Sequence, residues 1–432
     1  MKTLIKNCFI LLDSGEQPVA QGDIAIDGDR LIRVGADGQL PDGWQPDQVI
    51  DGGDRFCLPG LVNCHAHSAM TLLRSFADDL PLMEWLSTKI WPAEDRLTGD
   101  DVYWGTMLAI IEMVKSGTTT FSDMYFFMDE VARAVEQTGV RAVLARGLIG
   151  TGPSAEQGLE ESRGLIDRWQ GGAGGRISVW LGPHAPYTCP PAYLERVLQM
   201  AAEFGAGIHT HLAETSDETG QIGEQYGKSP VAYLDDLGVF RFPVLAAHCV
   251  HLTDQDISTL AARGVAVAHC PESNMKLASG IAPVVALRRA GITVGLGTDG
   301  ASSNNNLDLF EEMRTAALLH KVANQDPLVL PALEVLTMAT GDGARALGLG
   351  HQVGVLKPGY KADLILVDLG QAHLCPRHNL VANMVYAARG SDVETVIIDG
   401  QLIMKDRRML TVDEETVRQE VSSRARRLTG MQ

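Results

Sequence analysis

Short apolar runs alternate with longer amphipathic stretches through the middle of the chain. Eight of these runs end near a polar or ionisable residue, namely His67, Asp123, Arg146, His184, His211, His248, His269 and Asp299. Apolar strands separated by amphipathic helices are typical of repeated β/α units around a parallel sheet. The pattern predicts a (β/α)8 barrel over residues 59–350, with these residues at its carboxyl-terminal face, where barrel enzymes carry their chemistry.

The stretches between the runs have the signals of helices. Residues 100–116 are followed by Gly117, and residues 191–204 are followed by Gly205. A glycine just beyond the last helical residue readily adopts the left-handed conformation that ends a helix. We therefore predict helices over both stretches, each turning back into the next strand.

Both ends of the chain show a different pattern, in which short strand-like runs flank Asp-Gly turns. Near the amino terminus, Asp27 and Gly28 separate residues 23–26 from residues 30–34, and Asp399 and Gly400 separate two similar runs near the carboxyl terminus. Such turns between alternating runs predict β-hairpins. We expect residues 1–58 and 351–432 to build one small β-sandwich domain together, with a charged helix from about Val412.

Composition restricts the class of protein and its partners. The chain has 432 residues, of which 45% are hydrophobic, and a formal net charge of -18. This profile fits a soluble globular protein and opposes binding to nucleic acid or an anionic membrane. Its seven scattered cysteines form no CxxC pair, and the amino-terminal apolar run is too short for a signal peptide. We expect a cytoplasmic protein; a homo-oligomer is left open.

A His-x-His sequence ends the first predicted barrel strand. His65 and His67 lie two residues apart, so the alternation of a strand sends both imidazoles to one face and Cys64 to the other. Alone, this pair is better explained as two hydrogen-bonded core histidines. His211 and Asp299 end two later strands, and together the four residues form a candidate metal-binding set.

The donor types of this set indicate the metal and its use. Three imidazoles and a carboxylate suit Zn²⁺ or Fe²⁺, and the absence of thiolate ligands argues against a closed structural zinc site. His209 lies one layer deeper than His211 and is predicted to be a hydrogen-bonded core residue rather than a ligand. We therefore expect one divalent ion with an open position for water.

An open metal site favours hydrolysis. A bound metal lowers the pKa of its water to about 7, and a nearby carboxylate can take the proton during attack. We assign that role to Asp299, with His248 orienting the nucleophile. Glu214 follows the strand that ends at His211 and is the candidate to protonate a ring nitrogen and a departing amine.

Four motifs carry a family resemblance over nearly the whole length. They are PGLVNCHAH at residues 59–67, DDLPLMEWL at 78–86, HLAET at 211–215 and GTDG at 297–300. With them the chain resembles the amidohydrolase superfamily and, within it, the 5'-methylthioadenosine/S-adenosylhomocysteine deaminases. The resemblance implies zinc as the favoured ion, held by His65, His67, His211 and Asp299, with Glu214 and His248 assisting catalysis.

The resemblance also implies residues that bind a nucleoside. Glu94 would bind the ribose hydroxyls, Arg146 and His184 the sugar side and the 5' substituent, and Ser303 the region of the purine ring. Each also has an ordinary structural interpretation as a helix, surface, loop or turn residue. The fourth strand ends at His184 without the lysine that bridges two metals in binuclear relatives, which implies a mononuclear site.

Three functions remain open at this point. The leading hypothesis is hydrolytic deamination of a 5'-modified adenosine to the inosine analogue. Relatives that accept S-adenosylhomocysteine can use an additional arginine that residues 152–158 lack, so the preferred 5' group is undecided. Another amidohydrolase reaction, such as guanine deamination or chlorotriazine hydrolysis, is the alternative, and a non-catalytic barrel scaffold is the third.

Overall fold

A computed structural model of the chain describes residues 1–12, 18–35 and 40–430. The strands, in chain order, are β1 (Lys2–Leu11), β2 (Val19–Asp27), β3 (Arg30–Gly35), β4 (Gln48–Asp51), β5 (Arg55–Pro59), β6 (Leu61–Ala66), β7 (Thr118–Tyr125), β8 (Arg141–Leu148), β9 (Ile177–Pro183), β10 (Ile208–Leu212), β11 (Val244–His248), β12 (Ala266–His269), β13 (Val294–Leu296), β14 (Leu364–Asp368), β15 (Val393–Ile398), β16 (Gln401–Lys405) and β17 (Arg408–Met409).

The α-helices of the described residues lie mainly between these strands. In chain order they are α1 (Leu82–Trp85), α2 (Trp91–Glu94), α3 (Gly99–Lys115), α4 (Met128–Thr138), α5 (Ala155–Trp169), α6 (Gly172–Gly175), α7 (Pro191–Phe204), α8 (Ser216–Tyr226), α9 (Pro230–Asp236), α10 (Asp254–Arg263), α11 (Pro271–Lys276), α12 (Val284–Arg289), α13 (Leu309–Asn324), α14 (Ala332–Met338), α15 (Gly341–Ala346), α16 (Leu380–Tyr386) and α17 (Glu414–Thr429). Within the described ranges, none of them has the length and apolarity that crossing a membrane requires.

Strands β6 to β13 form the barrel. Each pairs in parallel with the next along the chain, and a parallel bridge between Ala66 and Asp299 joins the last strand region to the first. β7 and β8 are buried along their whole length, as expected for strands covered by helices on one face and the barrel interior on the other. The (β/α)8 prediction is confirmed, and each strand ends within three residues of its predicted position.

The helices end as their sequences predict. α7 spans Pro191–Phe204 and is followed by Gly205 in the left-handed conformation, with φ of 63°. α3 begins one residue before the predicted stretch and ends at Lys115. The carboxyl-terminal helix α17 buries Val417, Val421 and Leu428, so it packs along one side instead of being wholly solvated.

The two ends of the chain meet in one mixed sheet of nine strands. Its order is β17-β16-β15-β14-β5-β1-β2-β3, with β4 paired to β1, and the termini join where Leu366 of β14 lies opposite Cys57 of β5. Ile398 pairs with Gln401 across a turn in which Asp399 and Gly400 both have positive φ, as a tight two-residue hairpin requires. The shared terminal β unit is confirmed; its boundaries at residues 58 and 350 stay predictions.

A buried ion-pair cluster joins this sheet to the barrel. Arg141, at the start of β8, donates from Nε to Oδ2 of Asp363 at 3.0 Å and from a terminal nitrogen to Oδ1 of Asp399 at 3.1 Å. Arg141 is among the largest fully buried side chains of the described residues. The cluster therefore fixes the amino-terminal end of the barrel to the terminal sheet, opposite the end where the strands deliver their polar residues.

Candidate active site

Four candidate metal ligands converge at the carboxyl-terminal end of the barrel. The Nε2 atoms of His65 and His67 lie 3.3 and 3.2 Å from Oδ1 of Asp299, and Nε2 of His211 lies 3.3 Å from Nε2 of His67. Ligand atoms of His65, His67 and His211 all lie within 4.8 Å of one another, and so do those of His65, His248 and Asp299. The residues predicted to share one ion are thus brought together.

The backbone of the first and last barrel strands sets this arrangement. His65 lies in β6, His67 directly follows that strand, and Asp299 follows β13. The N–H of Asp299 donates to the carbonyl of His65 at 2.9 Å. Asp299 has φ of 60°, a left-handed conformation that is costly for a residue other than glycine and that often marks functional sites.

Outer hydrogen bonds fix the orientation of the imidazoles. Nδ1 of His67 lies 2.6 Å from the carbonyl oxygen of Met124, and Nδ1 of His211 lies 2.8 Å from that of His184. A carbonyl can only accept, so each Nδ1 carries a proton, and in the neutral ring Nε2 keeps a lone pair for an ion. His209 lies 2.8 Å from Nδ1 of His65, one layer below the cluster, as predicted for a core residue.

The unpaired atoms of the cluster fit a divalent metal. Nε2 of His65 and Oδ1 of Asp299 are buried without a hydrogen-bond partner among the described residues, although buried polar atoms are normally paired. Ser273 and Ser303 donate to the other oxygen, Oδ2 of Asp299, at 2.7 and 2.8 Å. Burial alone would raise the pKa of Asp299, but the adjacent imidazoles of His65 and His67 hold it well below its usual range. An anionic oxygen among imidazole nitrogens is a donor set for Zn²⁺ or Fe²⁺.

Glu214 and His248 lie beside this cluster. Oε2 of Glu214 is 3.9 Å from Nε2 of His248, whose Nδ1 donates to Oδ1 of Asn274 at 2.9 Å. Burial raises the pKa of Glu214, which favours its protonated form. The pair therefore combines a carboxyl that can hold a proton with an imidazole whose Nε2 is free to accept one hydrogen bond.

A cleft with an empty volume of about 750 Å³ opens above these residues. Its other walls are largely apolar and aromatic, formed by Met70, Leu82, Trp85, Leu86, Trp91, Met124, Tyr125, Phe126, Gly147, Ile149, Tyr187 and Leu277. Of the described residues that line it, none is a lysine or an arginine. Apolar and aromatic walls around a few polar groups are suited to a heterocyclic ligand.

Three of the four predicted substrate-binding residues line this cleft, namely Glu94, His184 and Ser303. Oε1 of Glu94 accepts a hydrogen bond from the Tyr125 hydroxyl at 2.6 Å, and burial raises the pKa of Glu94 to about 7. Nδ1 of His184 lies 3.1 Å from the Thr188 hydroxyl, and burial lowers the pKa of His184 to about 4, which keeps the ring neutral.

Arg146 lies apart from the other predicted site residues. Its Nε donates to Oε2 of Glu161 at 2.7 Å, and its guanidinium stacks 4.8 Å from the ring centre of Phe126. Phe126 lines the cleft, whereas Arg146 lines a neighbouring depression with Glu161. The structure thus places this cation behind the cleft wall, and its role in binding substrate stays a prediction.

Sequence reasoning missed three polar residues that support the site. Asn274 contacts His248, and Ser273 donates to Asp299. Glu218 accepts hydrogen bonds from the backbone N–H groups of Ala213 and Glu214. Ser273 and Asn274 lie in α11, the helix after β12, and Glu218 lies near the beginning of α8, the helix after β10. A search for polar side chains just beyond every predicted strand end, extended into the next helix, could have found them.

Comparison with known proteins agrees with this geometry. Residues 56–403 match the model of the amidohydrolase family. A 5-methylthioadenosine/S-adenosylhomocysteine deaminase of Pelotomaculum thermopropionicum is 58% identical over 428 residues, which is 99% of each chain. A deaminase of the same description from Syntrophomonas wolfei is 57% identical over 100% of both chains.

Solved structures show similarity over the same length. An adenosine deaminase from Xanthomonas campestris with bound zinc matches with a TM-score of 0.94 and 37% identity, covering 99% of each chain. An atrazine chlorohydrolase from Arthrobacter aurescens in complex with zinc matches with a TM-score of 0.91 and 26% identity, covering 98% of this chain and 100% of the other.

Proposed function

The chain belongs to the amidohydrolase family, and from this membership and the geometry of its cleft we propose that it hydrolytically removes the 6-amino group of 5'-modified adenosines. The products are the inosine analogue and ammonia. The observation that carries the proposal is that Glu214 and His248 lie beside four converging candidate metal ligands, at the floor of an apolar cleft. Full-length identity of 58% to a deaminase of such nucleosides supports the substrate class.

We propose one divalent ion, with zinc favoured, held by His65, His67, His211 and Asp299. The donor set, the partnerless Nε2 of His65 and Oδ1 of Asp299, and the zinc in two structural relatives support this. When bound, such an ion supplies a water molecule whose pKa falls to about 7. β9 ends at Pro183 and is followed by His184, with no lysine to bridge a second ion, which supports a mononuclear site.

The protein's own side chains supply the proton transfers. Asp299 accepts the proton of the attacking water, while Nε2 of His248 accepts a hydrogen bond that aims the water at C6, because Nδ1 already donates to Asn274. Glu214 donates its proton to the ring nitrogen next to C6 as the C–O bond forms. The proton held by Asp299 then passes to the amino group, and the C–N bond breaks to release ammonia. The hydroxyl proton that remains on the new oxygen returns to Glu214 as the C6 carbonyl forms.

Other residues of the cleft hold the sugar and the purine. The Tyr125 hydroxyl donates a hydrogen bond to Oε1 of Glu94, which leaves Oε2 to accept hydrogen bonds from the ribose hydroxyls. We assign His184, whose ring is neutral, to the sugar side and Ser303, which also donates to Asp299, to the purine ring; both residues line the cleft. Arg146 would reach a substrate only by exchanging its contact with Glu161.

Among 5'-modified adenosines, we propose that the methylthio derivative is preferred. The cleft walls offer apolar side chains such as Trp85, Phe126 and Leu277 to a thioether methyl group. The homocysteine tail instead brings a carboxylate, and no lysine or arginine lines the described part of the cleft. Burying a charge without a partner is unfavourable.

The decisive experiment is an ultraviolet assay of adenine-to-hypoxanthine conversion by zinc-loaded protein. Adenosine, 5'-methylthioadenosine and S-adenosylhomocysteine are compared, with guanine turnover measured in parallel. We expect kcat/KM for methylthioadenosine to exceed that for S-adenosylhomocysteine by about 10- to 100-fold, the effect of an unpaired buried polar group. Turnover of guanine but of no adenosine would replace this proposal with guanine deamination, and equal rates for the two modified nucleosides would refute the preference.

A further inference from the structure

Glu218 is a buried carboxylate that neither lines the cleft nor belongs to the proposed metal set. It lies near the beginning of α8 and is only 4% exposed. Its Oε1 accepts the backbone N–H of Ala213 and its Oε2 accepts that of Glu214, both at 2.9 Å. One side chain thus binds two consecutive N–H groups of the turn that carries Glu214.

This pattern differs from an ordinary helix cap. An acidic residue at the third helical position usually accepts the N–H of the residue that caps its own helix. Asp256 does so in α10, where its Oδ2 accepts the N–H of Thr253 at 2.9 Å. In α8 the hydroxyl of Thr215 accepts the N–H of Glu218, yet the carboxylate of Glu218 reaches past Thr215 to the preceding turn.

The turn that Glu218 holds has an uncommon backbone. Ala213 has φ of 51°, a left-handed conformation that is costly for alanine. On the other side, the carbonyl of Ala213 accepts the N–H groups of Val250 and His251, which follow β11. The turn at Ala213 and Glu214 is therefore held on two sides: Glu218 accepts its N–H groups, and the segment after His248 donates to its carbonyl.

We propose that Glu218 is a positioning residue that sets the orientation of Glu214 for proton transfer. The proposal rests on the function proposed above, in which Glu214 donates its proton to the purine ring. Proton transfer requires the donor within hydrogen-bond distance of its target, and displacement of about 1 Å can lower the rate about 100-fold. Two hydrogen bonds to adjacent N–H groups restrict both the position and the tilt of the Glu214 backbone.

The primary variants are Glu218→Ala and Glu218→Gln. The alanine removes both acceptors, whereas the glutamine keeps one oxygen and turns an NH₂ group toward the second N–H. We expect kcat to fall about 100-fold in Glu218→Ala and less in Glu218→Gln, with little change in KM. Zinc content should equal that of the wild type, since Glu218 contacts none of the proposed ligands. Wild-type kcat in Glu218→Ala would overturn the proposal.

Asp256→Ala is the matched control. Asp256 is 3% exposed and holds the corresponding position in α10, but its carboxylate contacts Ser229 and Thr253 and no residue of the site. We expect Asp256→Ala to lower the melting temperature about as much as Glu218→Ala while keeping kcat near the wild-type value. An equal loss of kcat in both variants would mean that Glu218 acts only through stability.

A double-mutant cycle separates positioning from general damage. If Glu218 acts through Glu214, Glu218→Ala should change kcat little when Glu214 is already replaced by glutamine. The same loss in both backgrounds would contradict the proposal. Failure of the wild-type protein to deaminate any adenosine would instead refute the proposed function, so the two failures are distinguishable.

Discussion

Glu214 and His248 face each other at the floor of the cleft, with Oε2 and Nε2 3.9 Å apart. Glu214 follows β10, and His248 ends the neighbouring strand β11. The N–H groups of Val250 and His251, which follow β11, donate to the carbonyl of Ala213, which follows β10. The proposed proton donor and the residue that orients the water therefore belong to one hydrogen-bonded unit. Changes on either strand should affect the same chemical step.

Glu214→Gln should abolish proton donation to the ring while preserving the shape of the cleft. A general acid or base increases the rate of the chemical step about 10²- to 10⁴-fold, so we expect kcat to fall by that factor with KM little changed. Steady-state kinetics with methylthioadenosine and zinc analysis of the same sample test this. A variant with full zinc and near-wild-type kcat would remove Glu214 from the mechanism.

Asn274→Ala should lower activity through His248. The amide oxygen of Asn274 fixes the proton on Nδ1 of His248, so its loss frees the ring to rotate or change tautomer. Loss of a hydrogen-bond partner that orients a site residue in this way typically lowers activity about 10- to 100-fold. Asn274→Asp keeps an acceptor and should lose less activity than Asn274→Ala. A larger loss in Asn274→Asp than in Asn274→Ala would exclude orientation of His248 as the cause.

Removal of the metal should stop turnover reversibly. Dialysis against a chelator should abolish deamination, and about one equivalent of Zn²⁺ per chain should restore it and raise the melting temperature, because a ligand that binds the native state stabilises it. His67→Ala should fail to retain zinc, whereas the exposed His351→Ala serves as a control that retains it. Full activity of the chelated protein would contradict the proposed hydrolysis.

The ionisation of Glu94 should control binding of ribosyl substrates. Burial raises its pKa to about 7, so Glu94 gains a proton as the pH falls through 7 and loses acceptor capacity for the ribose hydroxyls. We expect kcat/KM to decline below about pH 7. Glu94→Gln should remove this part of the pH profile and lower kcat/KM at pH 8 by about 10- to 100-fold, the value of hydrogen bonds to a charged group. An unchanged profile would exclude Glu94 as its source.

Arg141 should stabilise the junction between barrel and terminal sheet. Its replacement by methionine leaves the buried carboxylate of Asp363 without its bidentate partner, and loss of one member of a buried pair costs about 3–5 kcal/mol. Urea unfolding monitored by circular dichroism measures this change. Since Arg141 lies at the opposite end of the barrel from the cleft, the folded variant should keep its KM; a raised KM with unchanged stability would contradict this assignment.

The order of strands and the position of the chemistry were predictable from sequence. Alternation along a strand places His65 and His67 on one face because covalent geometry fixes that period, and the end of each apolar run places His211 and Asp299 at the same end of a parallel barrel. These inferences need only local rules.

Contacts between distant segments were decided by the tertiary structure. Residues 366 and 57 become neighbours in one sheet, Asn274 meets His248, and Glu218 reaches back to Ala213. Arg146 lies near the end of β8 as predicted, yet its side chain lies behind Phe126 and pairs with Glu161. Periodicity specifies which face of a strand a residue lies on and how near it is to the end of the barrel. Which atoms come into contact between elements depends on how the side chains and helices pack, and only the assembled fold determines this packing.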